Sequence, residues 1–301
     1  MGRLLEDQLD PDLVVRRDLA YTSHAYKPCS PLPRKKRAKS AEPPTHILIP
    51  DTQVKPGVDT RHLDWIGSYI ADEFASHENV VNIVGGDWWD MPSLSLYDRG
   101  KREMEGRRFV ADVDAGNEAF ARFDAYMPKK KSWEYHFLFG NHEDRIVRAA
   151  SENAQLDGLL SLALLDTKQW ERHGFKELLV RGGVHYSHFF YAENTGRPYS
   201  GSNLETRIKQ VMVSFSMFHQ QGLKWGRVNT ISGPRIGLVA GSCYLHEEEY
   251  RGPQAQDHWR GIVVCHQVED GDYDPQFVSL DYLCRRYEGI RLSEYLEKTA
   301  A

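Results

Sequence analysis

The feature that most limits how this chain can fold is a succession of short apolar runs, each of which stops abruptly on polar residues. The first three are HILIP (His46–Pro50), NVVNIVGG (Asn79–Gly86) and YHFLF (Tyr135–Phe139). Each is too short for a helix and rich in β-branched or aromatic residues, as expected of buried strands. Between the first two lies RHLDWIGSYIADEFAS, whose apolar residues recur at helical spacing. A strand, helix, strand order with both strands apolar throughout predicts a parallel βαβ opening. Residues 91–132 read as polar and mostly helical, with AGNEAFARFDAYM the clearest stretch, and a mostly helical segment is expected from Asn141 to about Lys176.

The last third differs. ELLVRGGVHYSHFF, IKQVMVSFSMFH, RIGLVAGSCYL and GIVVCHQVEDGDYDPQFVSLDYL are apolar or alternating runs broken by Gly, Asp and Pro, a strand-rich pattern with short turns. Both halves fit one α/β domain of two sheets packed face to face with helices outside, spanning 45–301. Residues 1–44 read instead as an arm or linker, because KPCSPLPRKKRAKSAEPP is Pro-rich and basic with few apolar positions.

Composition excludes several classes. The 301 residues are 41% hydrophobic, enough for a substantial core, and a net charge of −5 argues against a chain-wide nucleic-acid surface. No run reaches the roughly 18 apolar residues of a membrane span, and MGRLLEDQLDPD lacks the apolar centre of a secretory signal, so a soluble, cytoplasmic protein is expected. Cys29, Cys243, Cys265 and Cys284 form no CxxC pair, and ordinary reduced thiols are expected.

Where the polar residues fall carries the chemistry. ILIPDTQ ends in Asp51 and Gln53, NIVGGDWWD in Asp87 and Asp90, FLFGNHED in Asn141 and His142, GGVHYSHFF in His185 and His188, and VSFSMFHQQ in His219. Strand ends are where open α/β sheets bind ligands. Carboxylate, imidazole and amide oxygen together suit Mn, Fe, Zn or Mg rather than a thiolate-held structural zinc. Any one of these residues is ordinary as a turn former or satisfied polar group; five in sequence order, with the amide–imidazole pair of GNHE, are not required by any turn rule.

The motifs GDWWD (86–90) and GNHE (140–143), with DTQ (51–53) and the later His188, resemble the calcineurin-like metallophosphoesterases, whose pattern is DxH, GDxxD, GNH followed by an acidic residue, a lone His, and GHxH. The likeness spans about 45–285. The resemblance implies a four-layer α-β-β-α sandwich and two divalent metal ions, Mn first, with Mg, Fe or Zn as alternatives. Asp51, Gln53, Asp87 and His219 would hold one and Asp87, Asn141 and His188 the other, so that a metal-bridging hydroxide attacks phosphorus. His142 would act beside the phosphate as a catalytic proton donor, with Asp87 as the other catalytic residue. Gln53 replaces the family's His, and SMFH (216–219) puts Met217 where GHxH has its first His; the shifted register FHQQ makes His219 the first and Gln221 the second. His185 competes with His188, which lies closer to its strand end.

PDTQVKPG, SLSLYDRGKREMEG, GNHEDR and the Tyr and Trp of EYRGPQAQDHWRGIVV are most similar to the phage and prophage members described as DNA-repair-exonuclease-like. This implies a phosphodiesterase or nuclease acting on nucleic acid, inside the bacterial host cytoplasm if phage-encoded. The basic stretches 34–37, 98–108 and 128–131 are candidates for following a phosphate backbone. A phosphomonoesterase, or a non-catalytic binding protein that kept the fold, are the alternatives. Trp88 and Trp89 either wall the site or pack in the core.

Overall fold

The computed structural model describes residues 42–192, 195–199, 203–247 and 258–299. The basic run 34–37 and Cys29 of the expected arm lie outside these residues, as does 249–257 of the late Tyr and Trp pattern. The last residues assigned to the arm are already docked, since Pro44 O accepts from Val268 N at 2.9 Å and Glu42 O from Asn79 Nδ2 at 3.2 Å.

Three strands carry the opening: β1 (Thr45–Ile49), β2 (Val80–Val84) and β3 (Trp133–Leu138). β1 and β2 are buried at every position, as parallel strands covered on both faces must be. Helix α1 (His62–Phe74) joins β1 to β2, and α2 (Phe109–Asp124) joins β2 to β3. α1 buries Leu63, Trp65, Ile66, Tyr69, Ile70 and Phe74, a stripe at three- and four-residue spacing.

The short strand β4 (Glu171–His173) pairs with β3, and β10 (Gly261–Glu269) and β11 (Asp272–Ser279) complete a six-stranded mixed sheet in the order β11-β10-β1-β2-β3-β4. The second mixed sheet has the order β5-β6-β7-β9-β8. Its strands are β5 (Leu179–Arg181), β6 (Val184–Ser187), β7 (Ser214–Met217), β8 (Leu223–Thr230) and β9 (Gly233–Ala240).

Alternation sorts the side chains into layers. Leu48, Ile83 and Leu138 of the first sheet pack against Val184, Tyr186, Ile236 and Leu238 of the second. Ile47, Ile49, Val84 and Phe137 point the other way, into a core shared with α1, α2 and α5 (Leu280–Glu288), which precedes α6 (Leu292–Thr299). On the far side, Phe215, Met217 and Val239 pack beneath Leu204 and Ile208 of α4 (Leu204–Val211). The four-layer α-β-β-α arrangement is the expected one.

Several expected boundaries are corrected. Of 91–132, only α2 is α-helical, and beyond Asn141 the helix α3 covers just Asp144–Glu152 before short turns lead to β4. A three-residue strand is too short to leave a periodic signal. IKQVMVSFSMFH is not one strand. Asn203 caps α4 by accepting from Thr206 N at 3.1 Å, Met212 ends it in the left-handed conformation with φ 63°, and β7 starts two residues later. Trp88 and Trp89 are fully buried against Phe120, and so belong to the core. No helix among the described residues is long and apolar enough to cross a membrane.

Candidate metal centre

Within the first sheet β1, β2 and β3 run parallel, and within the second β6 and β7 do. Their carboxyl ends therefore deliver Asp51 and Gln53, Asp87, Asn141 and His142, His188 and His219 to one edge of the sandwich. Hydrogen bonds stitch the loops together. Asp87 O accepts from Gln53 N at 2.8 Å, His219 N donates to Asp51 Oδ1 at 3.1 Å, and Phe218 N donates to His188 O at 3.0 Å.

Glu143, whose place in the sequence suggests no more than an orienting or surface role, organises the centre. Its carboxylate is fully buried and accepts from Gly140 N at 2.7 Å, Asp87 N at 3.0 Å and Trp89 N at 3.1 Å, tying the GNHE loop to the GDWWD loop. Burial and the neighbouring Asp87 raise its pKa to about 7. The approach is tight: a Cβ on Gly140 would lie 2.1 Å from Asp87 Oδ1, which is why glycine stands there.

Three of the six proposed ligands have left-handed backbones, with φ 46° at Gln53, 50° at Asp87 and 66° at His219. Such conformations cost on the order of 1 kcal/mol or more each for non-glycine residues and concentrate at functional sites.

The donor set fits a cation. His188 Nδ1 is 2.8 Å from Gly85 O, so that nitrogen carries the hydrogen and the Nε2 lone pair points the other way. There it meets Asp87 Oδ2 at 3.3 Å and Asn141 Oδ1 at 3.0 Å, both of them acceptors. Turning the Asn141 amide over would leave the Asp87 oxygen still facing a lone pair. A proton or a cation has to stand between them. Ligand atoms of Asp87, His188 and His219 lie within 4.8 Å of one another. Asp51 Oδ2 and Gln53 Oε1 are buried without a hydrogen-bond partner, a costly state unless a cation is what they serve.

Electrostatics agrees. Burial pushes the Asp87 carboxyl up, but His142 and His188 outweigh it and hold the group ionised. Asp51, buried beside Asp87, is raised to about 7. Burial alone would depress His188, yet Asp87 and Asp51 lift it to about 9, whereas burial and His188 lower His219 to about 4.

His142 stands apart from this ligand set. Its Nδ1 is 2.9 Å from both Asp90 Oδ1 and Asp90 O, which fixes the hydrogen on Nδ1 and directs Nε2 toward Asp87 Oδ2 at 3.7 Å. Asp90 is itself held by Lys55 Nζ at 3.2 Å. Arg145 donates to Asp90 O at 2.8 Å and approaches His142 Nε2 at 3.1 Å. Burial lowers the His142 pKa, but Asp87 and Asp90 outweigh it and raise it above the usual value.

Other sequence candidates lie elsewhere. His185 is inside β6, paired with Val180 and Phe215. Met217 Sδ accepts from Arg207 Nη1 at 3.2 Å within the buried layer under α4, so it takes no ligand position. Gln221 Oε1 accepts from Tyr244 Oη at 3.0 Å, which gives the shifted register no ligand either. The basic stretch 128–131 precedes β3, whereas Asn141 follows it, placing those lysines at the opposite edge of the sheet. Cys243, Cys265 and Cys284 are free and buried.

No family model matches this chain, and neither does any curated protein.

Proposed function

We propose that this chain is a metal-dependent phosphoesterase of the calcineurin-like kind, cleaving phosphodiester bonds with nucleic acid as substrate. One observation carries the reading. The polar ends of five strands from two stacked sheets lie at one edge, where the His188 Nε2 lone pair meets the Asp87 carboxylate, His219 lies within reach of both, and the Asp51 and Gln53 oxygens are buried without a partner. In this reading Asp51, Gln53, Asp87 and His219 hold one divalent ion, and Asp87, Asn141 and His188 a second, with Mn2+ the preferred metal for a set containing two amide oxygens.

Bound divalent cations supply positive charge that lowers the pKa of water and neutralises phosphoryl oxygens. The protein's own residues do the rest. Glu143 fixes the separation of the Asp87 and Asn141 loops through its three backbone contacts. Asp90 holds His142 by Nδ1 and leaves Nε2 beside Asp87 Oδ2, and a proton held at Nε2 in place of the Arg145 contact would go to the departing alkoxide oxygen. A cleft beside His142, lined in part by Ser93, Ser95, Arg99, Arg145 and Arg148, offers guanidinium groups to a phosphate chain, although Arg99 and Arg148 also pair with Glu152 and Asp144.

The test is hydrolysis with Mn2+ of bis-p-nitrophenyl phosphate, p-nitrophenyl phosphate, and single- and double-stranded DNA. Diester and DNA cleavage that Asp87→Asn abolishes is expected. Preference for the monoester would move the assignment to a phosphomonoesterase, and no hydrolysis of any substrate by metal-loaded protein would contradict it.

A further inference from the structure

A second convergence of imidazole and carboxylate lies on β3, inside the strand rather than beyond its carboxyl end. His136 sits in β3, the edge strand β4 places Glu171 directly opposite it, and His173 follows two residues later on the same face. His136 Nδ1 is 3.1 Å from His173 Nε2 and 3.2 Å from Glu171 Oε2, and all three residues offer ligand atoms within 4.8 Å of one another. Two ligand atoms each bonded to one borderline metal ion at ordinary length stand about 2.9 to 3.4 Å apart for angles between square and tetrahedral. Both close pairs fall in that range.

The outward nitrogens decide what the inward ones do. His136 Nε2 faces Glu134 Oε2 at 3.0 Å, and that carboxylate is in turn held by Arg181 Nε at 2.6 Å. His173 Nδ1 lies 3.8 Å from Glu177 Oε1, beyond hydrogen-bond length. A carboxylate on the outer nitrogen of an imidazole fixes the hydrogen there and turns the other nitrogen's lone pair inward, the arrangement that orients metal-binding histidines. At His136 this turns the Nδ1 lone pair toward the Glu171 oxygen 3.2 Å away, and two acceptors at that distance need a cation or a proton between them.

We propose that His136, His173 and Glu171 form a separate binding site for a borderline divalent cation of the Zn2+ class. Both imidazoles are buried, at 1% and 5% exposure, while the Glu171 side chain is 60% exposed, so the site is reached from solvent at the sheet edge. Two nitrogens and one oxygen match that class better than Mg2+ or Ca2+. His136 lies inside β3, whereas Asp87 and Asn141 follow the carboxyl ends of their strands, and the two clusters share no residue. A cation here would clamp the three-residue β4 to β3, and its effect would be on stability.

The experiment is Zn2+ binding by equilibrium dialysis, with thermal unfolding alongside, on the full chain and on Asp87→Asn, His136→Gln and Glu171→Gln. Asp87→Asn separates this site from the proposed catalytic centre, and Glu171→Gln changes an exposed side chain, so it stays informative if His136→Gln fails to fold. Zn2+ should raise the melting temperature of wild type and Asp87→Asn alike. His136→Gln should bind one ion fewer per chain than wild type, and Glu171→Gln should bind it at least tenfold more weakly with the thermal gain reduced. Equal Zn2+ binding and equal thermal gain in wild type and Glu171→Gln would overturn the site, as would a Zn2+ complement lost entirely in Asp87→Asn.

Discussion

Asp87 Oδ2 lies 3.3 Å from His188 Nε2, and the Gly85 carbonyl, 2.8 Å from the other ring nitrogen, turns the Nε2 lone pair toward that oxygen. Two acceptors held this close by separate sheets need a proton or a metal cation between them, and a bound metal would displace the proton. Removing the imidazole should therefore weaken metal binding before it disturbs the fold. His188→Ala is expected to lose at least about 10- to 100-fold in Mn2+ affinity, a loss typical even of outer-shell partners. Calorimetric titration checks it; unchanged affinity would remove His188 from the ligand set.

His142 contacts Asp90 and Arg145 and takes no ligand position, so its loss should separate chemistry from metal binding. His142→Ala should keep its metal and lose about 100- to 10,000-fold in kcat, the range for a general acid. The penalty should shrink with p-nitrophenolate as leaving group, which needs little protonation. Equal losses for poor and good leaving groups would mean that His142 donates no proton.

Gly140 allows the two loops to touch. A methyl group there would meet Asp87 Oδ1 at 2.1 Å and Asp87 N at 2.5 Å, the first held by His142 N and the second by Glu143. Gly140→Ala is expected to cost about 1–3 kcal/mol, the usual range for overpacking, and to weaken metal binding with it. Urea denaturation measures the first and dialysis the second.

His62, buried in α1, has its pKa lowered to about 3 by burial and then by His246, against 6.5 in the unfolded chain. The folded state resists protonation that the unfolded state accepts, so no penalty exists above pH 6.5 and one grows as pH falls from 6.5 toward 3. Its slope is about 1.4 kcal/mol per pH unit for a single group. Replacing His62 with Gln should flatten the loss of stability between pH 6.5 and 4.5. Denaturation curves at several pH values test this, and parallel pH profiles for both proteins would refute it.

The strand ends are legible in the sequence because apolar runs of four to six residues that stop on Gly, Asp or Asn seldom arise except where a buried strand meets a turn, and the parallel pairing of β1 with β2 follows from the βαβ opening. What the sequence hides has physical reasons. The three residues of β4 carry no periodicity, so nothing in the sequence brings His173 and Glu171 beside His136. Glu143 looks like one acid among several in GNHEDR, because its burial and two of its three N–H donors depend on a loop more than 50 residues away in sequence. Met217 occupies the right place in the motif, but the strand's alternation turns it toward Arg207.

The most direct test is the amount of Mn2+ bound per chain, measured by equilibrium dialysis and elemental analysis for wild type and Asp87→Asn. The Asp87 carboxylate faces both His188 and His142. The expected result is that wild type binds Mn2+ and that Asp87→Asn, still folded, loses most of it together with diester hydrolysis. An Asp87→Asn protein that binds as much Mn2+ as wild type would contradict a metal centre at the ends of these five strands.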